Sequence, residues 1–279
     1  MGLLIRFARR WVAGVEMSDA LRAARAANAR GIHAVVNHLG EHHREKSAVE
    51  ASLREYLALL GAVRAEGIRG CVSVKPTQLG ILVDREYALS RFLVLLDAVR
   101  ASGQRLWLDM EAASTTDDTL WVYENLLERY DNVGVCLQAN LRRTDRDLER
   151  LVALGGKIRL TKGAYPEGPD IAYRRRDDVD RRYLRFLEAL FRSRADFAVA
   201  THDGRMVERT LALAESSDAK FEFQMLMGVR DALMTELVRK GFRVLEYIPY
   251  GPTWLPYFLR RLRERPRNVV TLMRSLVGG

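Results

Sequence analysis

"GIHAVV" (Gly31–Val36), "SAVEASLREYLALLGAVRAEG" (Ser47–Gly67) and "GCVSVK" (Gly70–Lys75) follow one another with only short connections between them. The outer two are short, apolar and β-branched, as strands are, and the middle one repeats its apolar positions with helical spacing. Strand, helix and strand in that order make a βαβ unit, which requires the two strands to be parallel. The same rhythm continues through "RLWLDM" (Arg105–Met110), "VGVCLQ" (Val133–Gln138), "KIRLTK" (Lys157–Lys162), "DFAVAT" (Asp196–Thr201), "KFEFQM" (Lys220–Met225) and "RVLEYI" (Arg243–Ile248). Helical stretches such as "EYALSRFLVLLDAVRASG", "DTLWVYENLLERY" and "VERTLALAESS" separate them, with Thr116 and Asp203 or Gly204 placed as N-caps. Eight strands each followed by a helix predict an α/β fold of the (β/α)8 TIM barrel type. A doubly wound sheet is disfavoured because no GxGxxG follows the first strand. No linker or repeat divides the chain, so residues 1–279 are expected to form a single domain, with 1–30 as a helical lead-in whose helix runs over Ser18–Arg30.

Composition excludes several classes of function. With 48% hydrophobic and 29% charged residues and only 7 prolines among 279 residues, the chain can bury a large core and is not disordered. It contains no apolar run of about 18 residues, and the apolar part of "MGLLIRFARRWVAG" is too short and too interrupted by arginine for a signal peptide. A soluble, intracellular protein is expected. Cys71 and Cys136 lie in apolar runs without CxxC spacing and read as buried, reduced thiols. The net charge of +9 suits nucleic acid, an acidic membrane surface or an enzyme of anions, but arginine is spread along nearly every segment and not gathered into one tail.

A barrel keeps its chemistry at the C-terminal rim of its strands. The residues expected there are polar: Asn37 with Glu41, Lys75, Asp109 with Glu111, Gln138, Lys162, Thr201 with His202 and Asp203, Gln224, and Tyr247. Lys75 and Asp109, on neighbouring strands, can pair and hold each other charged. Gly163, just after the fifth strand, allows a close backbone approach to a ligand. The cluster His38, Glu41, His42 and His43 meets no strict ligand spacing, and His202 lacks a second ligand at i+3 or i+4, so no metal site is expected. There is no GxSxG, no GxxxxGK[ST] and no cysteine attended by a histidine. The rim reads as a cradle for a large polar ligand.

Beside that cradle stands "PYFLRRLRERP" (Pro256–Pro266), which sets Tyr257, Arg260, Arg261 and Glu264 on one helical face by the i, i+3, i+4, i+7 rule. A polar stripe where a packing stripe is expected suits ligand binding, and paired guanidinium groups suit a carboxylate.

With "VSVKPTQLG", "LDME", "IRLTKGAY", "ATHD", "FEFQMLMGVR" and "YIPYGPTWLPYFLRRLRERPRN" in this order from about Gly31 onward, the chain resembles the proline dehydrogenase family. The resemblance implies a distorted (β/α)8 barrel holding FAD. It implies oxidation of L-proline to Δ1-pyrroline-5-carboxylate, with electrons passed to a quinone, as the first step of proline catabolism to glutamate. It places the protein in the cytoplasm, peripheral to the inner face of the membrane, with a separate pyrroline-5-carboxylate dehydrogenase as downstream partner and no nucleic acid.

Position by position, the resemblance assigns the proline carboxylate to Arg260 and Arg261, and the enclosure of its ring to Tyr257, Tyr247 and Leu226. Lys75 and Asp109 flank substrate and flavin. Gln138, Arg159, Lys162, Gly163, Ala164, Thr201, His202 and Gln224 line the cofactor, with Arg175 or Arg176 near its phosphates. Glu264 steadies the substrate-binding helix, and Glu41 closes the site through an ion pair with Arg260. The sequence departs from the family pattern at Asn37, His38 and Pro76 and in its short N-terminus. Hydride leaves the carbon next to nitrogen, so the amine must be neutral and the carboxylate fixed; two arginines and Lys75 serve both ends. The competing readings are a hydroxyproline dehydrogenase and a non-redox basic barrel binding phosphorylated ligands or nucleic acid. Tyr247, a bulky phenol against the ring carbons, favours proline over hydroxyproline.

Overall fold

The computed structural model describes residues 8–264, the side chains of residues 262–264 excepted. Eight parallel strands close into a barrel in chain order. They are β1 (His33–His38), β2 (Gly70–Val74), β3 (Leu106–Leu108), β4 (Val133–Gln138), β5 (Lys157–Thr161), β6 (Phe197–Ala200), β7 (Phe221–Leu226) and β8 (Val244–Tyr250). The ladder from His33 opposite Leu245 to His38 opposite Tyr250 joins first strand to last and leaves no edge. The predicted barrel is therefore the observed one.

The helices are α1 (Met17–Ala29), α2 (Lys46–Ala65), α3 (Arg85–Ala101), α4 (Thr116–Leu127), α5 (Thr144–Ala153), α6 (Arg176–Arg192), α7 (Gly204–Ala214), α8 (Asp231–Arg239) and α9 (Trp254–Glu264). Each helix that follows β1 to β7 buries one face; in α6, Val179, Tyr183, Phe186, Leu187 and Leu190 recur at i+3 and i+4 and lie inward. The barrel is distorted at its end. The lead-in helix α1 buries Ala20, Leu21, Ala24 and Ala27 and packs against β1 and β8, on the wall where the last helix of a regular barrel would lie. Helix α9 instead brings Tyr257, Arg260 and Arg261 to the mouth of a cavity.

Two helix starts test the capping expectations. Asp203 caps α7, its Oδ1 accepting from Arg205 N at 3.0 Å. Thr116 does not cap α4 but is its first residue, and the cap position falls to Thr115, whose side chain makes no cap bond. A 3-10 turn at Ala113–Thr115 runs directly into this helix, and the Thr115 hydroxyl is spent on Ala112 O at 3.0 Å.

Inside the barrel, Val35, Cys71, Trp107, Ala198 and Leu245 form an apolar floor. Trp107 fills it because Gly134 on β4 has no side chain: a Cβ there would lie 2.4 Å from the indole. Both cysteines are buried and free, and burial pushes the Cys71 thiol up to about 12. Above this floor the inward positions turn polar.

Candidate active site

Asp109 follows β3 at the centre of the rim, and four side chains converge on its carboxylate. Arg159 Nη1 reaches Oδ1 at 2.6 Å, and Ser73 Oγ donates to the same oxygen at 2.6 Å. Lys75 Nζ lies 3.3 Å from Oδ2, and the Tyr247 hydroxyl donates to it at 2.7 Å. Burial alone would push this carboxyl up, but Lys75, Arg159 and the two hydroxyls outweigh it and hold the group below its ordinary range. Tyr247 moves well above the ordinary phenol value, first through burial and then through Asp109, so it stays protonated and donates. The Arg159 guanidinium also lies 4.8 Å over the Trp107 ring, so the floor of the barrel carries it from below.

On the side of β4 to β7, Gln138 is the last residue of β4, and its Nε2 donates to Glu111 O at 2.8 Å. Its Oε1 accepts from Ala164 N at 3.3 Å, which ties β4 to the turn after β5. Gly163 in that turn adopts φ +108, and a Cβ would lie 2.0 Å from Asn140 Oδ1. Only glycine fits there. Lys162 Nζ pairs with Asp180 and, at 2.7 Å, with Asp203. Arg205 joins Asp180, and Arg176 reaches Asp203 at 3.4 Å, so the mouth on this side is a network of alternating charge. His202 Nε2 accepts from Leu226 N at 2.8 Å, which puts the proton of a neutral ring on Nδ1. Arg159 Nε and Nη2 and Gln224 Oε1 are buried polar atoms with no hydrogen-bond partner in the protein. Leaving each so costs about 1–3 kcal/mol, the signature of a surface made for a ligand that both donates and accepts.

Opposite stands α9. Its Arg260 and Arg261 both line the cavity, with Arg260 5.3 Å over the Tyr165 ring and Arg261 5.2 Å over that of Tyr257, one helical turn earlier. Arg260 Nη2 lies 3.7 Å from Glu41 Oε2. Burial pulls Arg260 down, but Tyr165 and Glu41 raise it on balance, so it remains a cation.

These walls enclose about 700 Å³, a size suited to a cofactor-sized ligand. Lys75, Arg159, Lys162, Arg176, Arg260 and Arg261 line the cavity against the carboxylates Asp109, Asp180 and Asp203, an excess of positive charge that favours an anion.

Of the residues singled out in the sequence, Lys75, Asp109, Gln138, Arg159, Lys162, Gly163, Ala164, Arg176, Thr201, His202, Gln224, Leu226, Tyr247, Tyr257, Arg260 and Arg261 all line this cavity. Glu41 stands behind Arg260. Four expectations need correction. Of the alternatives Arg175 and Arg176, Arg175 does not line the cavity but sits at the cap position of α6, and the largely exposed Arg176 lines the cavity. Tyr247 is not at the end of its strand; it lies mid-strand in β8 and reaches the cavity because it faces the barrel axis. Asn37 and Glu111, both expected at the rim, do not line the cavity: Asn37 is fully buried and donates to Tyr56 and to Ser73 O, and Glu111 accepts from Thr77. The side chain of Glu264 and the closing Pro266 lie outside the described residues.

Sequence reasoning missed Ser73, Cys136, Thr161, Tyr165 and Asp180. Ser73 and Cys136 stand two residues before Lys75 and Gln138, and Thr161 two after Arg159, so the two-residue period of a strand held the signal. Asp180 lies one helical turn beyond Arg176 and had none.

The proline dehydrogenase family model matches residues 20–274 of this chain. Proline dehydrogenase 2 of Bacillus subtilis (strain 168) is 30% identical over 287 residues, covering 99% of this chain and 95% of that protein. The proline dehydrogenase of Deinococcus radiodurans is 33% identical over 281 residues, covering 98% and 90%. Among solved structures, proline utilization A (PutA) of Bdellovibrio bacteriovorus, inactivated by N-propargylglycine, superposes with a TM-score of 0.84 at 23% identity. This chain covers 32% of that much longer protein, with 92% of its own residues aligned, so the likeness speaks to the barrel alone.

Proposed function

The chain belongs to the proline dehydrogenase family, and we propose that it oxidises L-proline to Δ1-pyrroline-5-carboxylate with non-covalent FAD and passes the electrons to a quinone. The product then goes to a separate pyrroline-5-carboxylate dehydrogenase, completing the route to glutamate. The observation that carries this reading is the lining of one cavity by two cationic groups, Arg260 and Arg261 on α9 and Lys75 with Arg159 around Asp109.

The two arginines grip the proline carboxylate, an anion whose two oxygens match paired guanidinium groups. Tyr257, Leu226 and Tyr247 enclose the ring and exclude water. Asp109 keeps Lys75 and Arg159 in place, and these cations, with the arginine pair, disfavour a protonated amine nearby and lower its pKa toward the free base that can release hydride. A flavin fits the remaining wall. Arg159 Nε and Nη2 offer unmet donors and Gln224 Oε1 an unmet acceptor to a planar heterocycle, and Lys162, Arg176 and the start of α7 at Gly204 suit a diphosphate. When bound, that group supplies the hydride acceptor.

No helix among the described residues is long and apolar enough to cross a membrane. A cytoplasmic enzyme that meets a membrane quinone at the inner face is part of the proposal. In the proposed binding mode the Tyr247 ring, held by its bond to Asp109, would crowd a ring hydroxyl, which weighs against the hydroxyproline reading.

The purified protein is expected to be yellow, or to become so with added FAD, and to lose its flavin absorbance when proline is added without oxygen. A protein that gains no flavin absorbance in excess FAD overturns the cofactor and the reaction together. One that binds FAD but is not bleached by proline overturns the substrate alone.

A further inference from the structure

Glu41 reaches Arg260 from the short loop between β1 and α2, and this loop does not hold itself. Its residue His42 sits at φ +64, a left-handed conformation sparsely populated by residues with a Cβ and kept only where the surroundings over-determine it. Tyr250 and Thr253 hold its start at Leu39 and Ser52 Oγ meets His43 Nε2 at 3.0 Å, but the backbone around His42 is held by the 3-10 turn Pro76–Gln78 after β2. Thr77 Oγ1 accepts from His42 N at 2.9 Å, and Thr77 O accepts from His43 N at 3.1 Å. Gln78 Nε2 donates to His38 O at 2.9 Å on the other side of Glu41. Thr77 is held in turn by Glu111, whose Oε1 accepts from its hydroxyl at 2.8 Å and Oε2 from its N–H at 2.9 Å. Thr77 and Glu111 are each 1% exposed and neither lines the cavity.

We propose that Thr77, backed by Glu111, is a positioning residue that fixes the loop presenting Glu41 to Arg260 and thereby sets the affinity for proline. This rests on the reading of Arg260 as a ligand of the proline carboxylate. The hydroxyl of Thr77 is the one group that acts on both sides, donating to Glu111 and accepting from the His42 N–H. An isosteric methyl leaves a buried carboxylate oxygen and a backbone N–H short of a partner at once. The loop would then relax toward right-handed backbone at His42, and Glu41 would swing off Arg260. Gln138, on the cofactor side, hangs on the backbone carbonyl of Glu111 and not on its side chain, so its contacts are not at stake when Thr77 changes.

The test is steady-state kinetics with proline on the FAD-saturated enzyme, for wild type, Thr77→Val, Thr77→Ser, Glu41→Ala, Arg260→Met and the double variant Thr77→Val/Glu41→Ala. Thr77→Val is expected to raise KM about three- to tenfold with little change in kcat, the loss of one or two hydrogen bonds expressed only through substrate binding. Thr77→Ser, which keeps the hydroxyl, should restore the wild-type KM. The double variant should match Glu41→Ala alone, since both changes remove one contact. A wild-type KM in Thr77→Val beside raised values in Glu41→Ala and Arg260→Met overturns the proposal and spares the substrate reading. So do additive effects in the double variant, or a Thr77→Ser as impaired as Thr77→Val. If Thr77→Val does not fold, Thr77→Ser and Thr77→Ala carry the same comparison. Wild-type KM in Arg260→Met overturns both the substrate reading and the proposal built on it.

Discussion

Tyr247 and Asp109 share one hydrogen bond of 2.7 Å, and what each does for the other decides which substitutions the site tolerates. Asp109 has three other partners, Ser73, Lys75 and Arg159, so it stays ionised and placed when the phenol is removed. Tyr247 has no comparable reserve: its ring packs against the apolar floor, and its hydroxyl is committed to Asp109. In the proposed binding mode a 4-hydroxyl on the substrate ring would meet that ring and lose its water without a guaranteed partner, a penalty of about 1–3 kcal/mol on protein-derived scales. Tyr247→Ser should open the space and offer a small hydroxyl in its place, so the ratio of kcat/KM for hydroxyproline to that for proline should rise by about tenfold or more. Because the ring also covers the floor, the same change should lower stability by about 3–5 kcal/mol, the range for emptying a large aromatic site. A ratio that stays at the wild-type value while stability falls would make Tyr247 a packing residue only.

At the scale of elements, the sequence disclosed what repeats and hid what happens once. Strands and helices repeat with periods of about two and 3.6, so the barrel and its order could be read from apolar runs such as "GIHAVV" and "GCVSVK". The polar rim was legible because a strand end is a defined place. The clamp of Thr77 on the loop at His42 was not, since a hydrogen bond between segments 35 residues apart leaves no local pattern. Nor was the role of Thr115, where a 3-10 turn displaced the cap. Gly163 lies between these cases. Its place after β5 suggested close ligand approach, but the structure adds that its Cα abuts the Asn140 side chain at a φ that residues with a Cβ avoid. Gly163→Ala should therefore cost about 1–3 kcal/mol through backbone strain and displacement of Asn140. The turn also carries Ala164 N to Gln138, so FAD affinity should fall with it. Denaturant unfolding and FAD titration of the same variant read the two effects. Unchanged FAD affinity in a destabilised protein would confine Gly163 to the fold.

Over the whole molecule, three partly buried histidines are expected to weaken the fold as pH falls. His33, His38 and His43 all lie below the ordinary imidazole value, each chiefly through burial. Arg243 and Arg69 add to this at His33, His42 adds to it at His43, and at His38 Glu55 opposes it while His43 adds to it. A depressed folded value means that the unfolded chain binds protons first as pH falls below about 6.5, so stability rises with pH through this window. The contribution is fully present above about 6.5 and is lost as pH falls through the folded values. Buried Glu111 and Glu246 act in the opposite sense, since burial raises both: the folded protein takes up their protons before the unfolded chain does, which offsets the histidines as pH falls. Accumulating positive charge on a chain already at +9 adds self-repulsion in the same direction as the histidines. Thermal melts at fixed ionic strength should show Tm falling between pH 7 and pH 5.5. His33→Gln removes one of the three groups and one contact with the Arg243 and Arg69 field, so its Tm should fall less steeply over the same interval. A Tm that is flat or rises on acidification, or a variant slope equal to the wild-type slope, would mean that these imidazoles do not govern the acid limit.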